Sequence, residues 1–302
     1  MKLVIYNLLT LMLVPVFLTR ILFKSLSDKD YRKNIGNRFG NGLSPATRKK
    51  DKIIWFHAVS LGEVIGSQDV IKKLLQEFDV VITTSTPTGL RKAKELFKYQ
   101  AAINYAPWDF TSFIHKYVTF YQPDAVLIFE TEIWPSMISI ASKQKIPFYL
   151  INGRLSKKSF QAYALTSWFI KDILQQITFS FVQTSKHEER FIKLGVSQQN
   201  IKVVGSVKFD APGLIMNPVE SSSFILGAST HPEEEKILLN VYSKFKNRAD
   251  FKLYLCPRHP ERSAQIFKLA DDMGFSTQLF SELKSQSFEV CIIDRIGLLP
   301  GF

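Results

Sequence analysis

The sequence predicts an α/β protein that is built on parallel sheets and divided into two domains. Short apolar runs alternate with helix-like patterns along most of the chain, which is typical of βαβ units. The chain has 302 residues, which is long for one ordinary domain and suits two. Polar clusters follow the apolar runs, and ligands of open parallel sheets bind outside the carboxyl ends of the strands.

The N-terminal segment is predicted to be a membrane anchor. Residues 3–19 carry no charge and the apolar run continues to Phe23, close to the about 20 residues that a spanning helix needs. No small-residue cleavage site follows, so we expect an uncleaved anchor over residues 1–23 that spans the bilayer or lies in its interface. A buried core helix is the alternative. Residues 20–52 then hold ten basic residues against three acidic ones, which indicates an anionic membrane surface and a cytoplasmic body.

The predicted first domain covers residues 24–210. Its strands are the apolar runs at 53–56, 80–83, 125–129, 148–151, 179–182 and 201–204. Helical patterns lie between them, near 64–77, 89–97, 111–121, 135–145, 160–175 and 187–194. A linker that contains two prolines and has no periodicity is predicted at residues 211–222.

The predicted second domain covers residues 223–302. Three strands are expected, at 224–226, 251–255 and 290–293, with helices at 232–246 and 261–273. Thr230 and Glu233 fit a capping box at the start of the first of these helices. A Rossmann-like half needs more residues than these to cover both faces of its sheet, so we expect the second domain to be incomplete.

Composition narrows the classes of function. The net charge of +12 favours a basic membrane-surface or nucleic-acid binding module as one hypothesis. No zinc-finger spacing, basic heptad region or aromatic single-strand motif supports it, so we expect no nucleic-acid partner. Cys256 and Cys291 lie in apolar runs without metal-ligand spacing, which predicts buried, inert thiols and no metal site.

Glu63 is the first candidate site residue. It follows the first predicted strand, and Ser60 through Glu63 form a capping-box pattern with Ser60 as the N-cap. A carboxylate at this place also faces the crevice beyond the strand, where it can accept a proton from an incoming hydroxyl. Both interpretations are open on the residues alone. Gly62 would let a substrate approach the backbone, and His57 is expected to be structural.

Further candidates follow other strands. Glu130 and Glu132 come after the most apolar strand, and strand alternation would place both on one side if the strand continues. Glu132 also suits the N-terminus of a helix. Lys208 follows the last strand of the first domain, where it is either solvated or part of the site. Arg258 ends a strand of the second domain, where a guanidinium can hold a phosphate.

Eight motifs carry a resemblance to a known family. In chain order they are HAVSLGE (57–63), TTSTPTG (83–89), YAPWD (105–109), ETEIWP (130–135), NGRLS (152–156), GSVKFD (205–210), STHPEEE (229–235) and CPRHPER (256–262). With these motifs, the chain resembles the 3-deoxy-D-manno-octulosonic acid (Kdo) transferases of lipopolysaccharide assembly from residue 1 to about residue 294.

The resemblance implies a GT-B fold, with two facing Rossmann-like domains and an N-terminal membrane-anchor helix. It implies transfer of Kdo from CMP-Kdo to a lipid A precursor (lipid IVA) at the cytoplasmic face of the inner membrane, with inversion and without a metal or other cofactor. By resemblance, Glu63 corresponds to the general base. Glu130 and Lys208 correspond to residues that stabilise the transition state. Pro257 and Arg258 correspond to part of the CMP site.

The chain departs from the family pattern near its end. The family carries DTMGEL where this chain has DRIGLL (294–299), so Ile296, Gly297 and Leu298 stand at CMP-contacting positions and Leu298 replaces a glutamate. The family's later glycine-rich segment, GGHNPLE, does not occur. We therefore expect a fragment or a frame-broken gene product that binds CMP weakly and shows no Kdo transfer by itself. The alternative function is a non-catalytic remnant that keeps the anchor and the acceptor domain.

Overall fold

The chain forms two compact units, Met1–Ala211 and Pro212–Phe302. The structure is a computed structural model and describes residues 2–207, 223–245, 251–283, 287–295 and 299. The linker predicted at 211–222 lies outside the described residues.

A long apolar helix, α1 (Lys2–Ser27), opens the first unit and continues past the predicted anchor end at residue 23. Pro15 lies inside it without ending it. Within the described part of the chain, α1 is the one helix that is long and apolar enough to cross a membrane, by length and composition. The predicted apolar anchor segment is therefore helical throughout.

The first unit contains a seven-stranded sheet in which every pairing is parallel. The strand order is β3-β2-β1-β4-β5-β6-β7, so the direction of winding reverses between β1 and β4. Strand β3 was absent from the prediction. The strands are β1 (Ile53–His57), β2 (Asp79–Thr84), β3 (Ala101–Tyr105), β4 (Ala125–Phe129), β5 (Phe148–Gly153), β6 (Phe179–Val182) and β7 (Ile201–Val203).

Helices connect these strands, and two predicted helices are each divided in two. The predicted helix 64–77 breaks at Ser67, whose backbone (φ −104°, ψ 1°) leaves the helical region while its hydroxyl donates to the Glu63 carbonyl at 2.7 Å. The predicted helix 160–175 breaks at Leu165 and Thr166. The helices are α2 (Leu61–Gly66), α3 (Gln68–Glu77), α4 (Pro87–Phe97), α5 (Thr111–Tyr121), α6 (Pro135–Lys143), α7 (Lys157–Ala164), α8 (Ser167–Leu174) and α9 (Ser185–Leu194).

Both faces of this sheet are buried, which explains why its strands are almost continuously apolar. In β1, Ile53 and Trp55 pack into one hydrophobic core, and Ile54 and Phe56 pack into the other. Because successive side chains of a strand point to opposite faces, one apolar run contributes to the hydrophobic core on each side of the sheet. The polar motifs begin where these buried strands end.

The second unit contains a four-stranded parallel sheet, with the order β10-β11-β9-β8. The prediction of three strands was wrong, because the short edge strand β10 has no apolar run to mark it. The capping box predicted for Thr230 and Glu233 was also wrong: the helix begins at Glu234, and Thr230 donates to Glu235 instead. The elements are β8 (Phe224–Thr230), α10 (Glu234–Phe245), β9 (Lys252–Pro257), α11 (Ser263–Asp272), β10 (Thr277–Leu279) and β11 (Val290–Ile292).

The central strand β9 supplies both hydrophobic cores of the second unit. Leu253 and Leu255 pack with residues of α10 and α11. Tyr254 and Cys256 face the other way and pack with a second cluster that includes Cys291. Both cysteines are free and buried, as predicted.

Candidate active site

The polar motifs after β1 and β4 meet at one place in the first unit. These two strands are neighbours, with Ile54 opposite Ala125, and the winding of the sheet reverses between them. A crevice forms at such a reversal, outside the carboxyl ends of the strands. The motifs that carry Glu63 and Glu130 therefore border the same crevice.

Glu63 is held in the first turn of α2 by the capping box that its sequence predicts. Ser60 is the N-cap, and its hydroxyl accepts from the Glu63 backbone N–H at 3.4 Å. The Glu63 carboxylate accepts from the Val59 N–H at 2.7 Å through Oε2 and from the Ser60 hydroxyl at 3.3 Å through Oε1. The cap fixes the carboxylate in place and leaves it half-buried.

Glu130 and Glu132 lie on the loop between β4 and α6. The strand does not continue through them, because β4 ends at Phe129 and Glu130 adopts a left-handed backbone conformation (φ 64°). A non-glycine residue pays a steric cost in this conformation, which marks functional sites in many proteins. The Glu132 carboxylate accepts from the Trp134 indole N–H at 2.8 Å.

The three carboxylates are close enough to influence one another. Burial raises the pKa of Glu63 to about 7, and the charges of Glu132 and Glu130 push it in the same direction. Burial also raises the pKa of Glu132, with a further contribution from Glu130. A carboxyl group with a pKa near 7 exchanges protons readily at neutral pH. The structure thus brings together Glu63 and Glu130, which the sequence singled out separately.

His57 is the last residue of β1 and begins the motif that carries Glu63. It is fully buried, and its ring lies edge-on to Trp134 with 4.7 Å between centroids. Its Nδ1 lies 2.9 Å from the Thr83 hydroxyl, which also accepts from the Trp55 indole N–H at 2.8 Å. Burial lowers the pKa of His57 to about 3, so the ring is neutral at physiological pH. These contacts agree with the structural role expected for His57.

Asp109 is a half-buried residue whose carboxylate no sequence pattern singled out. Its Oδ2 accepts from the Tyr6 hydroxyl of α1 at 2.8 Å and from the Ser136 N–H at 3.0 Å, and its Oδ1 accepts from the Met137 N–H at 2.9 Å. Burial raises its pKa to about 6. Asp109 therefore joins α1 to the start of α6, directly beyond the Glu130–Glu132 loop. The one feature of the sequence that could have indicated this role is the aspartate that ends the YAPWD motif, directly after Trp108.

An apolar cavity of about 370 Å³ adjoins the carboxylates. Glu132 and Trp134 line one side of it, and α1 lines the other through residues that include Leu13 and Phe17. A second cavity of about 370 Å³ shares Tyr6 with the first and lies between α1 and α8. The carboxylate cluster thus opens towards apolar space beside the N-terminal helix.

The second unit presents Arg258 at the end of β9, next to the buried Pro257. Arg258 is exposed, and its backbone N–H donates to the Thr230 carbonyl at 3.0 Å. Arg262, in the same motif, is instead bound to the buried Glu235 through two contacts at 2.9 and 3.2 Å. Of these two arginines, Arg258 is the one placed to meet a ligand.

Several predicted site residues lie outside the described part of the chain. They are Lys208 and the run Ile296, Gly297 and Leu298. Among the described residues, no group of three or more His, Cys, Asp or Glu side chains is arranged to hold a metal ion.

Comparisons with known proteins agree on the family. The family model described as 3-deoxy-D-manno-octulosonic-acid transferase (kdotransferase) matches residues 33–211. The 3-deoxy-D-manno-octulosonic acid transferase of Haemophilus influenzae is 28% identical, over 97% of this chain and 72% of its own length. The enzyme of the same name from Rickettsia bellii is also 28% identical, over 99% of this chain and 74% of its own length.

The fold is shared with solved structures. The UDP-GlcNAc 2-epimerase of Neisseria meningitidis matches with a TM-score of 0.57 at 15% identity, over 82% of this chain and 73% of that one. A further UDP-N-acetylglucosamine 2-epimerase matches with a TM-score of 0.54 at 13% identity, over 83% of this chain and 70% of that one. This likeness confirms the predicted α/β fold class of the GT-B type.

Proposed function

This chain belongs to the 3-deoxy-D-manno-octulosonic acid transferase family, and from that premise we propose that it serves Kdo transfer from CMP-Kdo to a lipid A precursor. The reaction takes place at the cytoplasmic face of the inner membrane, with inversion at the anomeric carbon. The first unit supplies the acceptor side of the reaction, and α1 keeps it at the membrane. CMP-Kdo is a substrate, and no cofactor takes part.

The carboxylate cluster is the observation that supports this proposal most. A general base must be within reach of the substrate hydroxyl and must have a pKa near the working pH. Glu63 is fixed by two hydrogen bonds, is half-buried at the crevice, and has a pKa of about 7. The capping contacts explain its position, and the neighbouring carboxylates help to explain its basicity.

In the proposed reaction, Glu63 takes the proton from an acceptor hydroxyl as the oxygen attacks the anomeric carbon of Kdo. The bond from that carbon to the phosphate oxygen of CMP breaks in the same displacement, which inverts the configuration. Glu130, whose charge reaches Glu63, stabilises positive charge that develops on the sugar. Lys208 offsets negative charge on the sugar carboxylate or on the departing CMP, and Arg258 binds the phosphate.

The apolar cavities support a lipid acceptor. A glucosamine hydroxyl that reaches Glu63 must come from a molecule whose acyl chains stay in an apolar environment. The cavity lined by Glu132, Trp134 and α1 offers such an environment directly beside the carboxylates. The sugar head group would then lie at the carboxylates and the acyl part beside α1.

The experiment compares the 302-residue chain with the same chain extended by the C-terminal segment of the Haemophilus influenzae relative. CMP binding is measured by calorimetry, and Kdo transfer to lipid IVA is measured by mass spectrometry. We expect binding and transfer from the extended protein and neither from the chain alone. If the extended protein binds CMP but transfers no Kdo, the first unit is a non-catalytic remnant and the proposal is wrong.

A further inference from the structure

The N-terminal half of α1 is attached to the first unit through polar contacts. The Lys2 ammonium donates to the Trp168 carbonyl and to the Asp172 carboxylate, both at 2.6 Å. The Tyr6 hydroxyl donates to Asp109 at 2.8 Å, and its ring stacks on Phe169 with 5.5 Å between centroids. This half of α1 therefore rests on α8 and on the start of α6.

The C-terminal half of α1 is attached to the same unit. Phe17 lies against Trp108 with 5.8 Å between ring centroids. Directly beyond the helix, Asp28 accepts from the Arg91 guanidinium of α4 at 3.2 Å. Both ends of the helix and its middle thus contact the unit, which excludes a helix that projects from it by one end.

The two faces of α1 differ in composition as well as in exposure. The less exposed positions follow helical spacing along the whole helix and include polar side chains: Leu3, Asn7, Thr10, Val14, Phe17, Ile21 and Ser25. From Val4 to Val16 the exposed large side chains are all apolar, and further exposed apolar side chains follow, beside the exposed basic residues Arg20 and Lys24: Val4, Ile5, Leu8, Leu9, Leu11, Met12, Leu13, Val16, Leu22, Phe23 and Leu26. One face thus packs on the protein surface and includes polar side chains, whereas the exposed face is apolar up to Val16 and carries basic residues only near its C-terminal end.

A spanning orientation conflicts with these contacts. A helix of 26 residues is about 39 Å long at 1.5 Å per residue, and this one lies on the unit for its whole length. Crossing the bilayer in this position would draw Asp109, Asp172 and Arg91 into hydrocarbon, where charged groups are costly. Crossing after release would break the hydrogen bond from Tyr6 to Asp109 and the contacts of Lys2 with Trp168 and Asp172.

The exposed face continues beyond α1 onto the segment that joins α7 to the first turn of α8, which we call the α7–α8 turn. Leu165 is 84% exposed and Trp168 is 55% exposed. The Lys2 ammonium lies 5.6 Å from the centroid of the Trp168 ring, so this turn adjoins the start of α1. Tryptophan is enriched where hydrocarbon meets head groups. At the other end, exposed basic residues complement anionic head groups: Arg20, Lys24, Lys29, Arg32 and Lys33.

We propose that α1 lies flat in one leaflet of an anionic bilayer, at the boundary between head groups and acyl chains, and that Leu165 and Trp168 extend this contact. The membrane partner is the lipid surface itself, and the exposed face of α1 enters it along its full length. The carboxylate cluster is then held beside the surface, since Glu132 shares a cavity with α1. This inference concerns membrane topology and stands independently of Kdo transfer.

The first test measures depth along α1. Single cysteines replace Val4, Met12 or Phe23 in the full chain and carry an environment-sensitive fluorophore. Cys256 and Cys291 are buried, and burial raises the pKa of both thiols, so they stay unlabelled. In sealed vesicles with 30% phosphatidylglycerol, lipid-attached quenchers should place all three labels at similar depths of about 5–10 Å below the head groups.

Other outcomes of the depth measurement overturn the proposal. A label at position 12 in the bilayer centre, with those at 4 and 23 near opposite surfaces, would mean that α1 spans. Labels that lipid-attached quenchers do not reach would mean that a second copy of the chain or another protein covers this face.

The second test concerns the α7–α8 turn. Leu165→Ser and Trp168→Ala should each weaken vesicle binding by about 3- to 10-fold, since each removes exposed apolar area from the contact. Tyr99→Ala is the matched control, because Tyr99 is 85% exposed but lies after α4, at the opposite edge of the sheet. Equal binding by all three variants and the unchanged protein would overturn the part assigned to this turn.

Discussion

Glu63 and Asp109 are carboxylates of the same unit whose pKa values burial raises, to about 7 and about 6 respectively. Their surroundings differ. Asp109 is enclosed by three donors from two helices, and each donor would lose its partner without it. Glu63 borders a crevice, and other carboxylates contribute to its raised pKa. A raised pKa alone therefore does not identify a catalytic base, because burial raises the pKa of Asp109 as well. What distinguishes Glu63 is its place at the crevice and the carboxylates beside it.

Of the variants that distinguish these two carboxylates, the one that removes the Glu63 carboxylate should have the largest effect, and that effect should be on the rate of Kdo transfer. In the extended protein, Glu63→Gln should lower Kdo transfer by about 10²–10⁴-fold, because it removes a general base. Stability should change little, since glutamine also completes a capping box. Initial rates and thermal unfolding measure both effects. Glu77→Gln, at an exposed end of α3, is the control and should transfer normally. Equal rates for the two variants would reduce Glu63 to a helix cap.

Removing Asp109 should act on stability. Asp109→Ala leaves the Tyr6 hydroxyl and the backbone N–H groups of the buried residues Ser136 and Met137 without an acceptor, so we expect a loss of about 2–4 kcal/mol in the free energy of unfolding. Urea denaturation measures this loss. Asp172→Ala, which breaks the exposed ion pair to Lys2, is the control and should cost less than about 1 kcal/mol. Similar losses in both variants would contradict the conclusion that Asp109 stabilises the unit by connecting α1 to α6.

Glu63 and Asp109 should also differ in the pH range over which each affects the stability of the protein. Each folded-state pKa is raised, so each group adds stability below its unfolded pKa, and that stability is lost as the pH rises through the folded value. For Glu63 the window runs from about 4.5 to about 7, and for Asp109 from about 3.8 to about 6. The unfolding free energy of the unchanged protein, relative to Glu63→Gln, should fall by up to about 3 kcal/mol across the first window. A rise there would mean that the Glu63 pKa is lowered.

The smallest effect should come from a neighbour of Glu63. Glu132→Gln removes one negative charge that raises the pKa of Glu63, so the acid limb of the pH–rate profile should move to lower pH by less than about one unit. Rates of the extended protein between pH 5 and 9 measure the shift. A limb that moves to higher pH would show that Glu132 acts on Glu63 through something other than its charge.

The sequence predicted most of the sheet because most strands are apolar runs, but it missed β3. That strand reads Ala101-Ala102-Ile103-Asn104-Tyr105, and alanine and asparagine do not favour strands. It is fixed by its place in the sheet beside β2, which no local pattern records. The short edge strand β10 (Thr277–Leu279) was missed because it has no apolar run to mark it.

The candidate site was predictable in its residues but less so in its geometry. Glu63 follows a recognisable capping box, and the structure contains that cap. Sequence alone left open whether the strand continues through Glu130, and the left-handed backbone of this residue is a conformation that sequence patterns assign to glycine or asparagine. The partner of Asp109 is Tyr6, 103 residues earlier, so its role could not be inferred locally.

The order of the strands also has a consequence for synthesis at the ribosome. Strands β1, β2 and β3 can pair as they emerge, but β4 must return to the open edge of β1, where Ala125 meets Ile54. Helix α1 leaves the ribosome before all of them, while its acceptors Asp109 and Asp172 are made much later. A segment that is translated before the strands of its sheet thus reaches its native contacts only after most of them have been made. A lipid surface that binds α1, as proposed above, would therefore be available to this helix before its contacts with the rest of the unit can form.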